Sequence, residues 1–390
     1  MSEGAYKIIA LADIHMSNKL PYARPTEDGK TNRLEDQIRL WEHVHNKARS
    51  IEADAVLILG DLFDKSLVDA VTLATTVEAI VSMPCDVWIL PGNHDASTIT
   101  GGRFTVEAFD SMRKDHVHCF QAGETRYVNE WLRFRPVPFC PSEEAMRIIH
   151  GYQEEMAGPH ASGVDVLLLH HSIVGCEHLG WTCDQGLDAD LICDGFDYVL
   201  AGHFHRHQTF GEPPAVGEPP GMYLGSPMHH DFGDVGRDAK YWCITYTQEG
   251  PALAMPVDPG LPKFFKVELD HELKSAKGKG LSDYSVRHGD YWRYEVVSTP
   301  ENWVEAKPKI QEAVKSLEKE GVHASFKHIP IKTHGVRLLG TARYGVPSVS
   351  MEGFVRKYVE VAWDGKHHPE GSIAALGVGL NILQEAKNAS

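Results

Sequence analysis

The stretch "VWILPGNHD", residues 87–95, is a short apolar run, a Pro-Gly turn and then three polar side chains, Asn93, His94 and Asp95. Pro fixes φ, Gly permits a left-handed backbone and Asn bonds its own main chain, so the pattern reads first as a turn that ends a strand. Four other segments repeat the design: "YKIIALADIH" (6–15), "DAVLILGDLFD" (54–64), "VDVLLLHHS" (164–172) and "DYVLAGHFH" (197–205). Continuous apolar runs, as opposed to alternating ones, suit strands buried on both faces of a layered α/β fold. Each run places its Asp, Asn or His just past the carboxyl end, where open α/β sheets bind ligands.

Helical patterns lie between several of these strands. In "RLEDQIRLWEHVHNKARSIEA" (33–53), Leu34, Ile38, Trp41, Val44, Ala48 and Ile51 recur at a spacing of 3 to 4 and define one buried face. Similar patterns run over 67–83 and 142–156. After about residue 210 the character changes to Pro/Gly loops and antiparallel strand patterns, and a linker at 259–263 leads to a βαβ-like segment whose helix starts near Asn302.

The 390-residue length suggests two or three domains, and 42% hydrophobic residues is a globular composition. No run of 18 uncharged apolar residues occurs, and no basic stretch precedes the apolar residues at the amino terminus, so a cytoplasmic protein is expected. Seven cysteines at irregular spacings, with no C-x-x-C pair, argue against disulfide frameworks and thiolate zinc sites. The 23 histidines instead raise the expectation of a metal site. Net charge is -16, yet residues 261–343 carry 15 Lys and Arg against 11 Asp and Glu, so the acidic excess lies elsewhere in the chain.

The polar residues at the five strand ends are Asp13 and His15, Asp61 and Asp64, Asn93 and His94, His170 and His171, and His203 and His205. Carboxylate, imidazole and amide oxygen together suit Mn, Fe or Zn better than the all-oxygen sites of Mg or Ca. In an extended D-x-H or H-x-H, alternate side chains lie on one side of the chain, so both members of each pair are expected to reach one pocket.

D-x-H, G-D-x-x-D, G-N-H-D, an apolar strand ending in His, and G-H-x-H, in that order, resemble the motif series of the calcineurin-like metallophosphoesterases. "GDLFD" (60–64), "GNHD" (92–95) and "YLGSPMHHDFGDVG" (223–236) are similar to segments of the Mre11/SbcD-type DNA double-strand break repair nucleases. The motif resemblance spans roughly residues 6–236. It implies a layered β-sandwich flanked by helices over residues 1–258, a smaller α+β capping or DNA-binding domain over 263–343, and a helical segment over 344–390 that docks an ATPase partner.

The resemblance also assigns roles. One ion is expected on Asp13, His15, Asp61 and His205, and a second on Asp61, Asn93, His170 and His203, with Asp61 shared. Two such ions clamp the attacking and leaving oxygens of an in-line displacement. His94 is the expected catalytic acid, Asp64 orients a neighbouring ligand, Asp95 is a structural hydrogen-bonding partner, and His171 is an outer-layer or substrate residue. The implied cofactors are two divalent ions, Mn2+ first. The implied partners are DNA, an SbcC/Rad50-like ATPase and a second copy of the chain, in the cytoplasm or at the nucleoid and without a membrane. His207, His229 and His230 read as surface or outer-layer residues, and "DHVHCF" (115–120) as an edge strand.

Three rivals are weighed against the nuclease. Phosphoprotein phosphatases of the superfamily read G-D-x-x-D-R-G, whereas Lys65 and Ser66 follow Asp64 here. Small-molecule phosphodiesterases acting on cyclic nucleotides share the metal motifs. A non-catalytic scaffold of a repair complex is disfavoured because every ligand position and His94 are filled. Two features favour DNA: the polar loop "MSNKLPYARPTEDGKTNR" (16–33), and the basic second segment, where Tyr291, Trp292 and Arg293 cluster, although aromatics at such spacing more often pack a core. A P-loop is excluded, since "DGKTN" (28–32) has Arg24 where the first glycine belongs.

Overall fold

The computed structural model describes residues 4–331 apart from 99–100, 113, 158–162, 179, 213–219, 278 and 281–283. The helical segment expected at 344–390, with its docking role, lies outside the described residues, as does most of 331–343. The chain runs β1 (Tyr6–Leu11), α1 (Asn32–Ile51), β2 (Ala55–Leu59), α2 (Ala70–Val81), β3 (Asp86–Leu90), a hairpin of β4 (Ala96–Thr98) and β5 (Gly101–Phe104), α3 (Ala108–Ser111) and β6 (Val117–Cys119). It continues with β7 (Arg126–Tyr127), β8 (Leu132–Val137), α4 (Ser142–Met156), β9 (Val164–His170), a hairpin of β10 (Glu177–His178) and β11 (Trp181–Thr182), α5 (Ala189–Cys193) and β12 (Tyr198–Gly202). Then come β13 (Gln208–Phe210), β14 (Gly221–Tyr223), β15 (Tyr241–Thr247) and β16 (Gly250–Val257), followed by β17 (Phe264–Leu269), β18 (Tyr291–Ser298), α6 (Pro300–Lys319) and β19 (His323–Pro330).

The five apolar runs do not share one sheet. Strands β1, β2 and β3 are parallel neighbours in a sheet ordered β16-β15-β1-β2-β3-β6, while β9 and β12 are parallel neighbours in a second, ordered β13-β14-β12-β9-β8-β7. The two sheets face each other, and alternation along each strand explains why the runs are apolar throughout. Ile8, Leu57 and Trp88 point inward to meet Phe134, Leu168 and Leu200. Ile9, Val56 and Ile58 point outward beneath Leu34, Trp41 and Val44 of α1. On the far side Leu167, Leu169 and Val199 meet Ala145, Ile149 and Tyr152 of α4. Each such aliphatic side chain removed from water stabilises the fold by about 1.5–3 kcal/mol, so any slip of one residue, which swaps the two faces, is heavily disfavoured.

α1 starts at the N-cap Thr31, whose hydroxyl accepts from the Leu34 amide, and stops at Glu52, which adopts a left-handed φ of 53°. Leu34, Trp41, Val44 and Ala48 are buried as the periodicity predicts, whereas Ile38 and Ile51 are only partly covered. The helix also buries Arg33, Asp36 and Gln37, polar positions that the apolar pattern does not select. Residues 264–330 form a parallel sheet ordered β17-β18-β19 with α6 packed on it. Trp292 belongs to this cap's buried core and Tyr291 to the buried cluster at its junction with the sandwich, so both aromatics pack cores. The cap is stapled to the sandwich where Phe232, Phe264 and Tyr291 cluster and the Arg33 guanidinium lies 5.2 Å from both the Phe264 and Tyr291 ring centres.

Candidate metal centre

The carboxyl ends of the two sheets meet edge to edge. His170 ends β9, and its Nδ1 lies 2.9 Å from the carbonyl oxygen of Leu59, the last residue of β2 in the other sheet. A carbonyl only accepts, so Nδ1 carries the hydrogen and Nε2 presents its lone pair to Asn93 Oδ1 at 3.0 Å and Asp61 Oδ2 at 3.3 Å. His203 Nδ1 lies 2.9 Å from the same Asn93 oxygen, and its Nε2 is 3.0 Å from Ser172 Oγ. Asp61, His170, His203 and Asn93 thus point donor atoms at one spot.

A second set lies beside the first. His15 Nε2 is 3.1 Å from His205 Nε2 and 3.7 Å from Asp61 Oδ2. Asp13 is fully buried and holds the β12 end in place, its two carboxylate oxygens accepting from the His203 amide at 3.0 and 3.1 Å. The Asp61 carboxylate faces both histidine sets, with Oδ2 toward His170 and His15 and Oδ1 accepting from the His94 amide at 2.8 Å. Asp61, His170 and His203, and likewise Asp13, His15 and Asp61, offer ligand atoms that all lie within 4.8 Å of one another.

The route by which D-x-H converges differs from strand alternation. β1 ends at Leu11 and β12 at Gly202, and Asp13 (φ 55°), His15 (φ 52°), Asp61 (φ 51°) and His203 (φ 106°) all leave the extended region for positive φ. Such a backbone is uncommon outside glycine and tolerated best by Asn, Asp and His; its concentration here is what an over-determined functional site looks like.

Electrostatics shows why these side chains suit cations. Burial pushes the Asp13 carboxyl up, against the pull of His170 and His205. Burial works the same way on Asp61, but the His170 imidazole, with His15 and His94, holds it below the usual carboxylate range. Burial would lower His170, yet Asp61 raises it to about 9, while burial and the His170 charge lower His203 to about 3. Two carboxylates and four imidazoles therefore compete for protons in a desolvated space. Divalent cations relieve that competition at every donor, and the mixed O and N set suits a first-row metal.

The remaining candidates separate. His94 is exposed, and its Nδ1 lies 2.7 Å from the Asp64 carbonyl oxygen, so Nδ1–H donates and Nε2 is free. Asp64 Oδ1 lies 3.8 Å from His15 Nδ1. The Asp95 carboxylate accepts from the amides of Gly92 and Phe63, both at 2.9 Å, and so ties the Asn93–His94 turn to the Asp61 loop. His171 is buried beside Pro138 O at 3.3 Å and stacked on Phe139, and burial, with the neighbouring His170 charge, lowers it to about 4. Of the surface or outer-layer alternatives for the histidines after G-H-x-H, the surface one fails for His229 and His230, which are buried. Asp234, 3.7 Å from His205 Nδ1, is also missed by motif reasoning; the only sequence signal is a carboxylate four residues beyond a histidine pair.

The calcineurin-like phosphoesterase family model matches residues 6–207, a span that contains every residue of both donor sets. The chain belongs to that family. A curated relative in Bacillus subtilis, the uncharacterized metallophosphoesterase YhaO, is 26% identical over 212 residues, which cover 53% of this chain and 48% of the relative. The chain thus matches about half the length of that relative. A crystal structure of a dimetal phosphatase from Danio rerio superposes with a TM-score of 0.41 at 11% identity, covering 66% of this chain and all of the other. Within the matched span the described Asp and His residues form groups that could hold a metal ion. No described helix is long and apolar enough to cross a membrane.

Proposed function

We propose that the chain is a Mn-dependent two-metal phosphodiesterase that cleaves DNA, as the nuclease subunit of a repair or recombination complex with an SbcC/Rad50-like ATPase, and that it acts as a homodimer. The observation that carries the catalytic part is the position of Asp61 between two donor sets, with an unligated histidine beside it. Asp13, His15, Asp61 and His205 would hold one ion, and Asp61, Asn93, His170 and His203 the other. When bound, the ions supply Lewis acidity and charge to the two oxygens that exchange at phosphorus.

The chain's own groups do the rest. The Asp64 carbonyl fixes the His94 ring through Nδ1, so Nε2 is the atom that carries a proton to the leaving oxygen. Asp95 holds Gly92 and Phe63, and with them the spacing between His94 and Asp61. For DNA, the support is the wall that the first loop and the cap build together. Arg293 of the cap donates to the Tyr22 hydroxyl at 2.6 Å and lies 3.9 Å from the centre of the Phe232 ring, while Arg24 pairs with Glu318 of α6 at 3.5 Å. Phosphate contacts along such a wall position a duplex without reading its bases.

The test is Mn-dependent hydrolysis of bis-p-nitrophenyl phosphate, linear duplex DNA and cyclic nucleotides side by side. Cleavage of DNA with steep loss of affinity as salt rises is expected. Turnover of cyclic nucleotides without DNA cleavage would replace the nuclease reading with a small-molecule diesterase, and no diesterase activity with metal bound would end the enzymatic reading.

A further inference from the structure

His230 falls outside every motif, yet its ring centre lies 4.9 Å from that of His15 and 5.0 Å from that of His205, with interplanar angles of 82° and 62°. His15, His205 and His230 offer ligand atoms that lie within 4.8 Å of one another. We propose that His230 is a further protein ligand, through Nδ1, to the ion held by Asp13, His15, Asp61 and His205; this rests on the two-metal reading above.

The argument turns on which nitrogen carries the hydrogen. His230 Nε2 lies 3.0 Å from the Asp13 carbonyl oxygen and 3.0 Å from Ser226 Oγ. The carbonyl only accepts, and the Ser226 hydroxyl donates its hydrogen to the Met228 carbonyl at 2.9 Å, so both neighbours of Nε2 are acceptors. Nε2 is therefore the N–H nitrogen, and Nδ1 is left with a bare lone pair. That atom is buried and has no hydrogen-bond partner, in a residue only 8% exposed. Leaving a buried acceptor unsatisfied is costly, so the atom calls for a partner. A buried lone pair on a ring that packs against two other histidines, with the opposite N–H anchored to a backbone carbonyl, is how a metal-binding imidazole is normally held.

The surroundings fix this pose from both sides. The His230 amide donates to Asp234 Oδ2 at 2.6 Å, and the other oxygen of Asp234 faces His205 Nδ1 at 3.7 Å. The preceding residue is locked as well, because the His229 carbonyl accepts from Arg33 and the His229 Nδ1 accepts from the Phe264 amide at 3.1 Å. A third imidazole makes this the more nitrogen-rich of the two donor sets, which favours first-row metals over Mg.

His230→Gln separates ligation from support, since with the Gln amide N–H kept near Asp13 O and Ser226 the amide oxygen does not occupy the position of Nδ1 and no imidazole nitrogen is left there. Mn2+ titration of the full chain, read by bound metal after dialysis and by Mn EPR, should give two ions for the wild type. In H230Q one of the two should bind at least ~10-fold more weakly. Two ions held with wild-type affinity in a folded H230Q overturns the proposal and leaves the two-metal reading intact, whereas a wild type that binds no ion overturns both. Should H230Q fail to fold, an anomalous-diffraction map of Mn-loaded wild-type crystals decides. A peak about 2.1 Å from His230 Nδ1 supports ligation, and a peak with a water between refutes it.

Discussion

Replacing Gly92 with Ala tests whether the turn after β3 is shaped by Asp61. A Cβ built on Gly92 lies 2.2 Å from the Asp61 amide nitrogen and 2.3 Å from Asp61 Oδ1, where ordinary contacts begin at 3.4 Å. One atom is backbone and the other belongs to the shared donor, so neither gives way cheaply, and Asp61 and the Asn93 turn have to part by about 1 Å. The turn is held from its other side by Asp95, which accepts from the Gly92 amide. Overpacking of this kind costs about 1–3 kcal/mol, and each kcal/mol lowers Tm by roughly 2–4 °C in a domain of this size. The functional loss is larger, because misplacing a reacting group by about 1 Å costs on the order of 100-fold in rate. Melting curves, Mn2+ affinity and diesterase kcat/KM of G92A should show all three effects. Gly151 in α4 is the control, since nothing lies within 4 Å of a Cβ there and Ala should be neutral or stabilise by about 0.5–1 kcal/mol. If G92A bound Mn2+ and turned over diester within threefold of wild type, the idea that Asp61 requires glycine at this position would be wrong.

Three further outcomes are expected. His94→Ala should retain both ions and lose about 10²–10⁴-fold in kcat, whereas Asp61→Ala should lose metal as well, a contrast read by metal content alongside activity. Asp165 is gripped by Arg133 and Arg135 at 2.5 to 2.9 Å, and although burial raises its pKa, these two guanidiniums hold it below the usual carboxylate range. A depressed carboxylate contributes stability that is present above its unfolded pKa and lost as pH falls through the folded value; denaturant midpoints from pH 6 down to 2 should therefore fall more steeply in wild type than in Asp165→Asn, which itself costs about 3–5 kcal/mol near neutrality. Arg33→Met removes the buried guanidinium that joins the His229 carbonyl to the Phe264 and Tyr291 rings, and should expose the cap to limited proteolysis before the sandwich; simultaneous loss of both would refute the staple.

Much of the fold is legible because β1, β2, β3, β9 and β12 need apolar side chains on both faces, one for the inter-sheet core and one for the helices, and such runs stand out in a sequence. What periodicity leaves open is which runs share a sheet. The polar termini of all five runs look alike, and only the close approach of β9 and β12 to β2 shows the division, as where a Cβ on Gly202 would lie 2.0 Å from the Leu59 carbonyl oxygen. The seven donor positions are marked by their motifs, yet the route by which they converge is not, since the left-handed turns at Asp13, His15 and Asp61 depend on contacts between strands far apart in sequence. His230 and Asp234 were hidden for another reason. They lie in a loop of ordinary composition, whose histidines are indistinguishable from surface residues until the loop is seen pressed between α1, the cap and the first donor set.

The neutral donors also bear on how an acidic chain could handle an anionic substrate. Net charge is -16, which alone would repel a polyphosphate. Among the seven donors only Asp13 and Asp61 carry formal charge; the others are imidazoles and the Asn93 amide, and His230 would add no charge either. Two divalent cations in this set would therefore leave a net charge of +2 at the junction of the sheets, enclosed by low-dielectric walls that focus it. An all-carboxylate site of the same size would cancel that charge and lose the attraction for a diester. Replacing His203 or His205 with Asp should thus weaken substrate capture, seen as a rise in KM and a shallower salt dependence, even where metal is retained. Unchanged KM in a metal-loaded His205→Asp variant would show that the cap and the first loop, and not the charge of the centre, hold the substrate.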